Sequence, residues 1–285
     1  MPKRKIKKNT LTRANADKHM LYEAAVQEVT DDIRFMRRIF RKHRARPLRF
    51  LREDFCGTAS LACKWVSMNP EHTAMGVDID PEPLDWGLRH NVHTIGKAGE
   101  RLNLVRGDVL EVHTPRADAV CAFNFSYFLF KTRDQLRAYF ASARKSLKKD
   151  GILFLDAYGG MASTTTNRDV RSIPDGVDVY GQPIPTYIYE WEHAHYNVVN
   201  HDLKAHIHFE FTDGTRIDRA FTYDWRLWTL PEIRELLLEA GFDRVEIYIH
   251  GFDENGEGDD KWVRRDHYEN EDGWLAYVVG IKDER

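Results

Sequence analysis

Between residues 48 and 156, short apolar runs alternate with stretches of helical periodicity, and this alternation most constrains what the chain can fold into. The runs are Leu48–Leu51, Ala74–Asp78, Leu102–Val105, Ala119–Phe123 and Gly151–Asp156. Each is short and bounded by turn residues, so each reads as a strand. Between them, Leu61, Trp65 and Val66, then Leu84, Leu88, Val92 and Ile95, then Leu136, Tyr139, Phe140, Ala143 and Leu147 recur at helical spacing. Asp80-Pro81 marks one helix start, an N-cap followed by a proline that has no N–H to satisfy. Thr132-x-x-Gln135 marks another, as a capping box. Alternating strands and helices predict an α/β fold, a mostly parallel sheet with helices on both faces.

The flanking segments differ. Residues 1–12 read as a disordered basic tail. Leu21, Ala25, Val26 and Val29, then Ile33, Met36, Ile39 and Phe40, give two amphipathic helices, an N-terminal helical lid over 13–46. After Asp156 the period changes to two. In Ala205–Phe211 the residues Ile207, Phe209 and Phe211 alternate with polar ones, and Asp213-Gly214 turns the chain into a second strand. Residues 161–227 therefore read as an antiparallel insertion. Thr229-x-x-Glu232 caps another helix, and Val245–Ile249 and Trp274–Ile281 are the last strands, separated by an acidic loop at Gly251–Asp260. The core is then 47–160 with 228–285.

The chain has 285 residues, 42% of them hydrophobic, enough for one core with an insertion. No apolar run approaches the ~18 residues of a membrane span, and no apolar segment follows the charged N-terminus as a secretory signal requires. Cys56, Cys63 and Cys121 are an odd number without metal-ligand spacing, which predicts reduced thiols in a cytoplasm. The net charge of −3 hides an asymmetry: residues 1–52 hold 16 Lys and Arg against 5 Asp and Glu. A basic end attracts polyanions such as RNA, whereas the acidic remainder repels them and concentrates cations.

The chemistry-bearing segment is Arg52-Glu53-Asp54-Phe55-Cys56-Gly57-Thr58-Ala59, at a strand-to-helix turn where backbone N–H groups can meet a ligand. The dinucleotide fingerprint needs three glycines here and only Gly57 is present, which argues against a nicotinamide cofactor. Acids then end the next two strands, in Gly76-Val77-Asp78-Ile79-Asp80 and Arg106-Gly107-Asp108-Val109. A carboxylate at the second strand end can accept both hydroxyls of a ribose.

Taken together, these segments resemble class I S-adenosylmethionine (SAM)-dependent methyltransferases, nearest to their small-molecule N-methyltransferase branch. The resemblance implies a Rossmann-like, seven-stranded, mostly parallel sheet, and SAM as cofactor. Glu53 takes the acidic position of the first motif, Gly57 the central glycine, and Phe55 and Ala59 replace the outer two. Cys56, Thr58, Ile79, Val109 and Phe125 fall on cofactor-binding positions beside Asp78 for ribose and Asp108 for adenine. A lid tyrosine approaches the methionyl end in this branch, which maps to Tyr22. Asn124-Phe125-Ser126-Tyr127 is similar to the signature that holds a planar amino group at the methyl donor, without its prolines. Asn124 is thus expected to face the acceptor, with Tyr127, Asp156 and Tyr158 as candidate bases, and Trp225 and Arg226 at the substrate mouth. No metal site is expected: the pairs His193/His195 and His206/His208 lack cysteine partners. The expected acceptor is a small molecule, methylated at nitrogen or oxygen. The alternatives are an RNA or ribosomal acceptor reached through the basic end, or a non-catalytic SAM-fold subunit.

Overall fold

Each strand of the core alternates its side chains across the sheet, and this period-two pattern builds two cores. In the strand Ala117–Ala122, Val120 and Ala122 face one way, Ala119 and Cys121 the other. In Leu147–Gly159, Leu153 and Leu155 oppose Ile152 and Phe154 in the same manner. With both faces covered, these strands are apolar throughout. The computed structural model describes residues 10–177, 180–252 and 258–283.

The central sheet contains β1 (Phe50–Asp54), β2 (Thr73–Asp78), β3 (Leu102–Arg106), β4 (Ala117–Ala122), β5 (Leu147–Gly159), β12 (Arg244–Phe252), β13 (Gly258–Arg264) and β14 (Trp274–Ile281). Its order is β13-β12-β14-β5-β4-β1-β2-β3. β3, β2, β1, β4 and β5 run parallel, and β14 inserts antiparallel beside β5. Helices α2 (Val29–His43) and α3 (Ser60–Met68) cover one face, and α5 (Arg133–Ser146) and α6 (Leu230–Glu239) the other. Both capping boxes form as the sequence predicts, at Thr132 and Thr229. Where a single helix is expected to run to Ile95, α4 (Pro81–Gly87) gives way to a π-helical turn at Leu88–Val92.

The insertion contributes β6 (Asn167–Ile173), the short pair β7 (Gly176–Val177) and β8 (Pro183–Ile184), β9 (Tyr187–Tyr196), β10 (Asp202–Phe211) and β11 (Arg216–Arg226). A second sheet of order β11-β10-β9-β6 results. Helix α1 (Lys18–Val26) packs Leu21, Met20 and Tyr22 against its inner face, with Tyr187, Tyr189, Ile207 and Phe209. Among the described residues no helix is long and apolar enough to cross a membrane.

Three expectations change. The central sheet has eight strands, because Gly258–Arg264, which begins inside the expected loop Gly251–Asp260, pairs antiparallel with β12. The N-terminal helices do not form one lid. α1 belongs with the insertion, whereas α2 buries Ile33, Phe35, Met36, Ile39 and Phe40 on the central sheet. Leu11, assigned to the tail, is buried against the second sheet, while tail residues 1–9 and the acidic residues Asp253, Glu254 and Glu257 lie outside the described residues.

Arg52 is fully buried in β1, where a strand pattern would place an apolar residue. Its guanidinium donates to Asp54 at 2.6 Å, to the Ser146 hydroxyl at 2.9 Å and to the Val112 carbonyl, joining β1 to α5 and the loop after β3. A buried charge persists only when paired and hydrogen-bonded. Arg52→Ala should therefore destabilise the fold by about 3–5 kcal/mol, because Asp54 would stay buried without its cation. Urea unfolding of the variant checks this, and an unchanged midpoint would contradict it.

Candidate active site

At the carboxyl end of β1 the chain turns through Phe55, Gly57 and Ala59 with φ of 56°, 51° and 57°. The resemblance drawn from the sequence assigns these to the three glycine positions of the first motif. Phe55 and Ala59 hold left-handed backbone without being glycine, at about 1–3 kcal/mol for each strained residue. Two carboxylates support the loop. The Gly57 N–H donates to Asp78 Oδ2 at 2.8 Å, and the Ala62 N–H of α3 donates to Glu53 Oε2 at 3.0 Å. Burial pushes the Glu53 carboxyl up to about 8. Glu53 thus anchors the loop from below. Phe55 turns its ring onto Tyr139 and Phe130, and Cys56 is buried, its thiol raised well above the usual range by burial.

Asp78 also accepts the Asp80 N–H at Oδ1, 2.9 Å, and burial is the main cause that raises its carboxyl. Each carboxylate oxygen has a second lone pair, so these bonds leave acceptor capacity for a ligand. Ile79 beside it is 67% exposed. Asp108 stands at the next strand end, its Oδ1 accepting the Leu110 N–H at 2.8 Å. Val109 is buried, and its carbonyl accepts from Ser142 at 2.8 Å. Gly87 of α4 lies so close to this loop that a Cβ would meet the Thr58 carbonyl at 2.2 Å.

The cover is tied to that loop by a buried cluster the sequence did not suggest. Glu23 of α1 accepts from the Thr58 hydroxyl and, at 2.8 Å, from the Asn91 amide, which also donates to the Thr58 carbonyl at 3.0 Å. His19 and Trp86 add bonds to Glu82 and Asp17 at 2.9 and 2.6 Å, so α1 docks on α4.

After β4, Asn124 and Phe125 are consecutive left-handed residues, φ 55° and 57°. Their N–H groups donate to the two oxygens of Asp156 at 2.7 and 2.9 Å. Burial pushes the Asp156 carboxyl up to about 8, against the pull of these two donors. Above this turn is a chamber of about 710 Å³, between α1, the start of α2, the second sheet and the ends of β4, β5 and β14. Tyr22, Asn124, Phe125, Asp156, Tyr158 and Trp225 all line it, so the predicted residues from four separate segments meet in one cavity. Trp191, Tyr189, Tyr223, Trp262 and Tyr277 extend its aromatic wall. Its described lining has five carboxylates, Glu28, Asp31, Asp32, Asp156 and Asp169, against one arginine, Arg171.

Two candidates lie elsewhere. Tyr127 is fully buried beneath the turn, its hydroxyl donating to the Asp156 carbonyl at 2.7 Å. Arg226 points away from the chamber because it follows Trp225 on the same strand, and neighbouring side chains take opposite faces. It binds the Lys131 carbonyl and Glu232 at 3.1 and 2.8 Å and lies 3.8 Å from the Trp228 ring. Asp31 and Asp32, in the first turn of α2, line the chamber although the sequence did not single them out. The signal that could have found them was their place at the start of a helix expected to cover the strand ends.

Asp156→Asn should destabilise the protein by about 1–3 kcal/mol, because the amide would turn an N–H₂ towards one of the two N–H groups. Calorimetric unfolding measures this. The wild-type carboxyl holds a proton that the unfolded chain releases near its ordinary value, so its own contribution to stability falls as pH rises from about 4 to about 8. The wild-type advantage over Asp156→Asn should change with that slope.

Residues 54–155 match the family described as the methyltransferase domain. No curated protein sequence matches the chain. Among solved structures, the chain is similar to an S-adenosylmethionine-dependent methyltransferase from Clostridium acetobutylicum ATCC 824, with 15% identity, 93% of this chain and 97% of that one covered, and a TM-score of 0.62. CalS10 from Micromonospora echinaspora, an amino pentose methyltransferase, is 15% identical over 92% of this chain and 95% of its own, TM-score 0.62. KedS8 from Streptoalloteichus sp ATCC 53650, a sugar N-methyltransferase, is 15% identical over 100% and 98%, TM-score 0.61. Residues 54–155 thus match a methyltransferase domain, and the whole chain shares the fold of S-adenosylmethionine-dependent methyltransferases of known structure.

Proposed function

We propose that this protein methylates a nitrogen of a small, amine-bearing molecule. The observation that carries the reading is the acid-rich aromatic chamber opening onto the Asn124–Phe125 turn. Carboxylates and aromatic faces attract cations, so a protonated amine is favoured there and a polyanion is not. CalS10 and KedS8, which share the fold, act on amino sugars or sugar nitrogens by their names, which is consistent with such an acceptor.

The residues at these strand ends fit SAM: a left-handed loop at Gly57, acids at the ends of β2 and β3, and the exposed apolar Ile79 after Asp78. Asp78 would take the ribose hydroxyls, Asp108 the adenine amino group, and Tyr22 would stand near the methionyl end. When bound, SAM supplies a methyl group on a sulfonium that is already a good leaving group. The chain's own residues have less to do. The Asp156-held turn presents the Asn124 amide oxygen, which can accept an N–H of the acceptor and aim its nitrogen. The aromatic wall and α1 exclude water, and alignment in a closed site supplies much of the rate.

Asp78→Ala should weaken SAM binding by about 1.5–3 kcal/mol, read by titration calorimetry, and should also lower the melting temperature, because the Gly57 and Asp80 N–H groups lose their acceptor. Because Glu53, Asp156 and Asp78 hold raised carboxyls, a bound cation should favour their ionised forms and release protons. SAM affinity should then rise with pH between about 6 and 8, checked by calorimetry in buffers of different ionisation enthalpy. Unchanged SAM affinity in Asp78→Ala would remove the cofactor assignment. Methylation of structured RNA rather than of amines would remove the acceptor assignment.

A further inference from the structure

An amine enters at neutral pH as an ammonium ion, and its nitrogen has no lone pair until a proton leaves. The proton needs an acceptor at the chamber wall. Asp156 is ill suited, since burial pushes its carboxyl up to about 8 and it already holds a proton at neutral pH. The hydroxyls of Tyr22 and Tyr158 are poor bases, their titration raised by burial. Asp169 is exposed and pairs with Arg171 at 3.4 Å, and Asp31 pairs with Arg34 at 2.9 Å.

Asp32 differs. It lies in the first turn of α2, lines the chamber, and accepts the Tyr277 hydroxyl at Oδ1. Tyr277 is fixed in turn, its ring stacked on Phe35 at 4.1 Å and against Trp262 at 4.1 Å. We infer that Asp32, oriented by Tyr277, is the catalytic base that takes the proton from the ammonium acceptor. The N–H bond breaks and an O–H bond forms on Asp32. The electron pair stays on nitrogen, which the methyl donor of the proposed reaction then requires.

The surroundings are consistent with that role. From α2, Asp31 and Glu28 face Asp32; from β14, Tyr277; from β5, Asp156; from β1, Glu53. Tyr22 and His250 share the chamber lining. Burial and the neighbouring Asp31 and Glu28 push the Asp32 carboxyl up to about 7, opposed by the Tyr277 bond, which suits a group that alternates between carboxylate and acid near neutrality.

This inference rests on the amine reading above, and one experiment separates the two. Wild type, Asp32→Asn and Tyr277→Phe are incubated with SAM and a panel of primary amines: an amino sugar, phenethylamine and putrescine. Products gaining one methyl group are read by mass. On the amine turned over fastest by wild type, kcat/KM should rise with pH to a plateau above about pH 7. Asp32→Asn should lose about 100-fold or more at pH 7 and regain rate as pH approaches the amine's own ionisation. Tyr277→Phe should lose less and shift the wild-type limb. SAM affinity by calorimetry should be unchanged in Asp32→Asn. A wild-type pH profile in that variant, or a loss that high pH does not recover, overturns the inference alone. A tenfold or greater loss of SAM affinity would place Asp32 on the cofactor and also overturn it. Failure of every amine with SAM still bound overturns the amine reading and this inference with it.

Discussion

The carboxylate of Asp156 accepting two consecutive backbone N–H groups is the contact on which the site depends. Asn124 and Phe125 both hold left-handed backbone, which L-residues other than glycine and asparagine rarely adopt. Each conformation persists only when its surroundings determine it. Asp156 does so from the neighbouring strand, and Tyr127 braces the same residue from beneath. The turn then forms the floor of the chamber and presents Asn124 upward. Asp78 plays the corresponding part for Gly57 one loop away. Carboxylates at parallel strand ends thus serve twice here, ordering the loops and remaining available to a ligand.

The chamber is made by parts distant in sequence. Its floor comes from β4, β5 and β14, one wall from α1 and the start of α2, and its roof from the insertion sheet. The buried Glu23–Thr58–Asn91 bonds join the covering helix to the loop that would hold the cofactor. Buried polar groups of this kind are strongly coupled, since losing one partner leaves the others unsatisfied. The loop at Thr58 and its cover are therefore held together as one unit. The acidic lining biases that enclosed space towards cations, and the low polarity of the aromatic walls strengthens each charge within it.

Most of the fold was legible in the sequence, because hydrophobic periodicity and capping chemistry are local. Ala117–Ala122 and Leu147–Gly159 are apolar through their centres because both faces are covered, and Thr132 and Thr229 announce their helices through bonds three residues long. Asp78 and Asp108 stand at successive strand ends, where the sequence pattern puts them. The edge strand β13 was not legible, since its first residues fall in the stretch that reads as acidic loop and only pairing with β12 makes them a strand.

What the tertiary structure alone decided was direction and company. Arg52 reads as a charge in a loop motif, yet it is buried, because Asp54 and Ser146 meet it from separate elements. Trp225 and Arg226 read alike, and the pleat of one strand sends the first into the chamber and the second to Glu232. Asp32 reads as a helix-start residue, and becomes a chamber group only when Tyr277, 245 positions along the chain, comes to face it. The sequence by itself determined the sheet, its helices and the acids at its strand ends, since those follow from periodicity and local hydrogen bonding. Which side chains share the enclosed space was decided by long-range packing, because burial and proximity are properties of the folded chain and not of any segment in it.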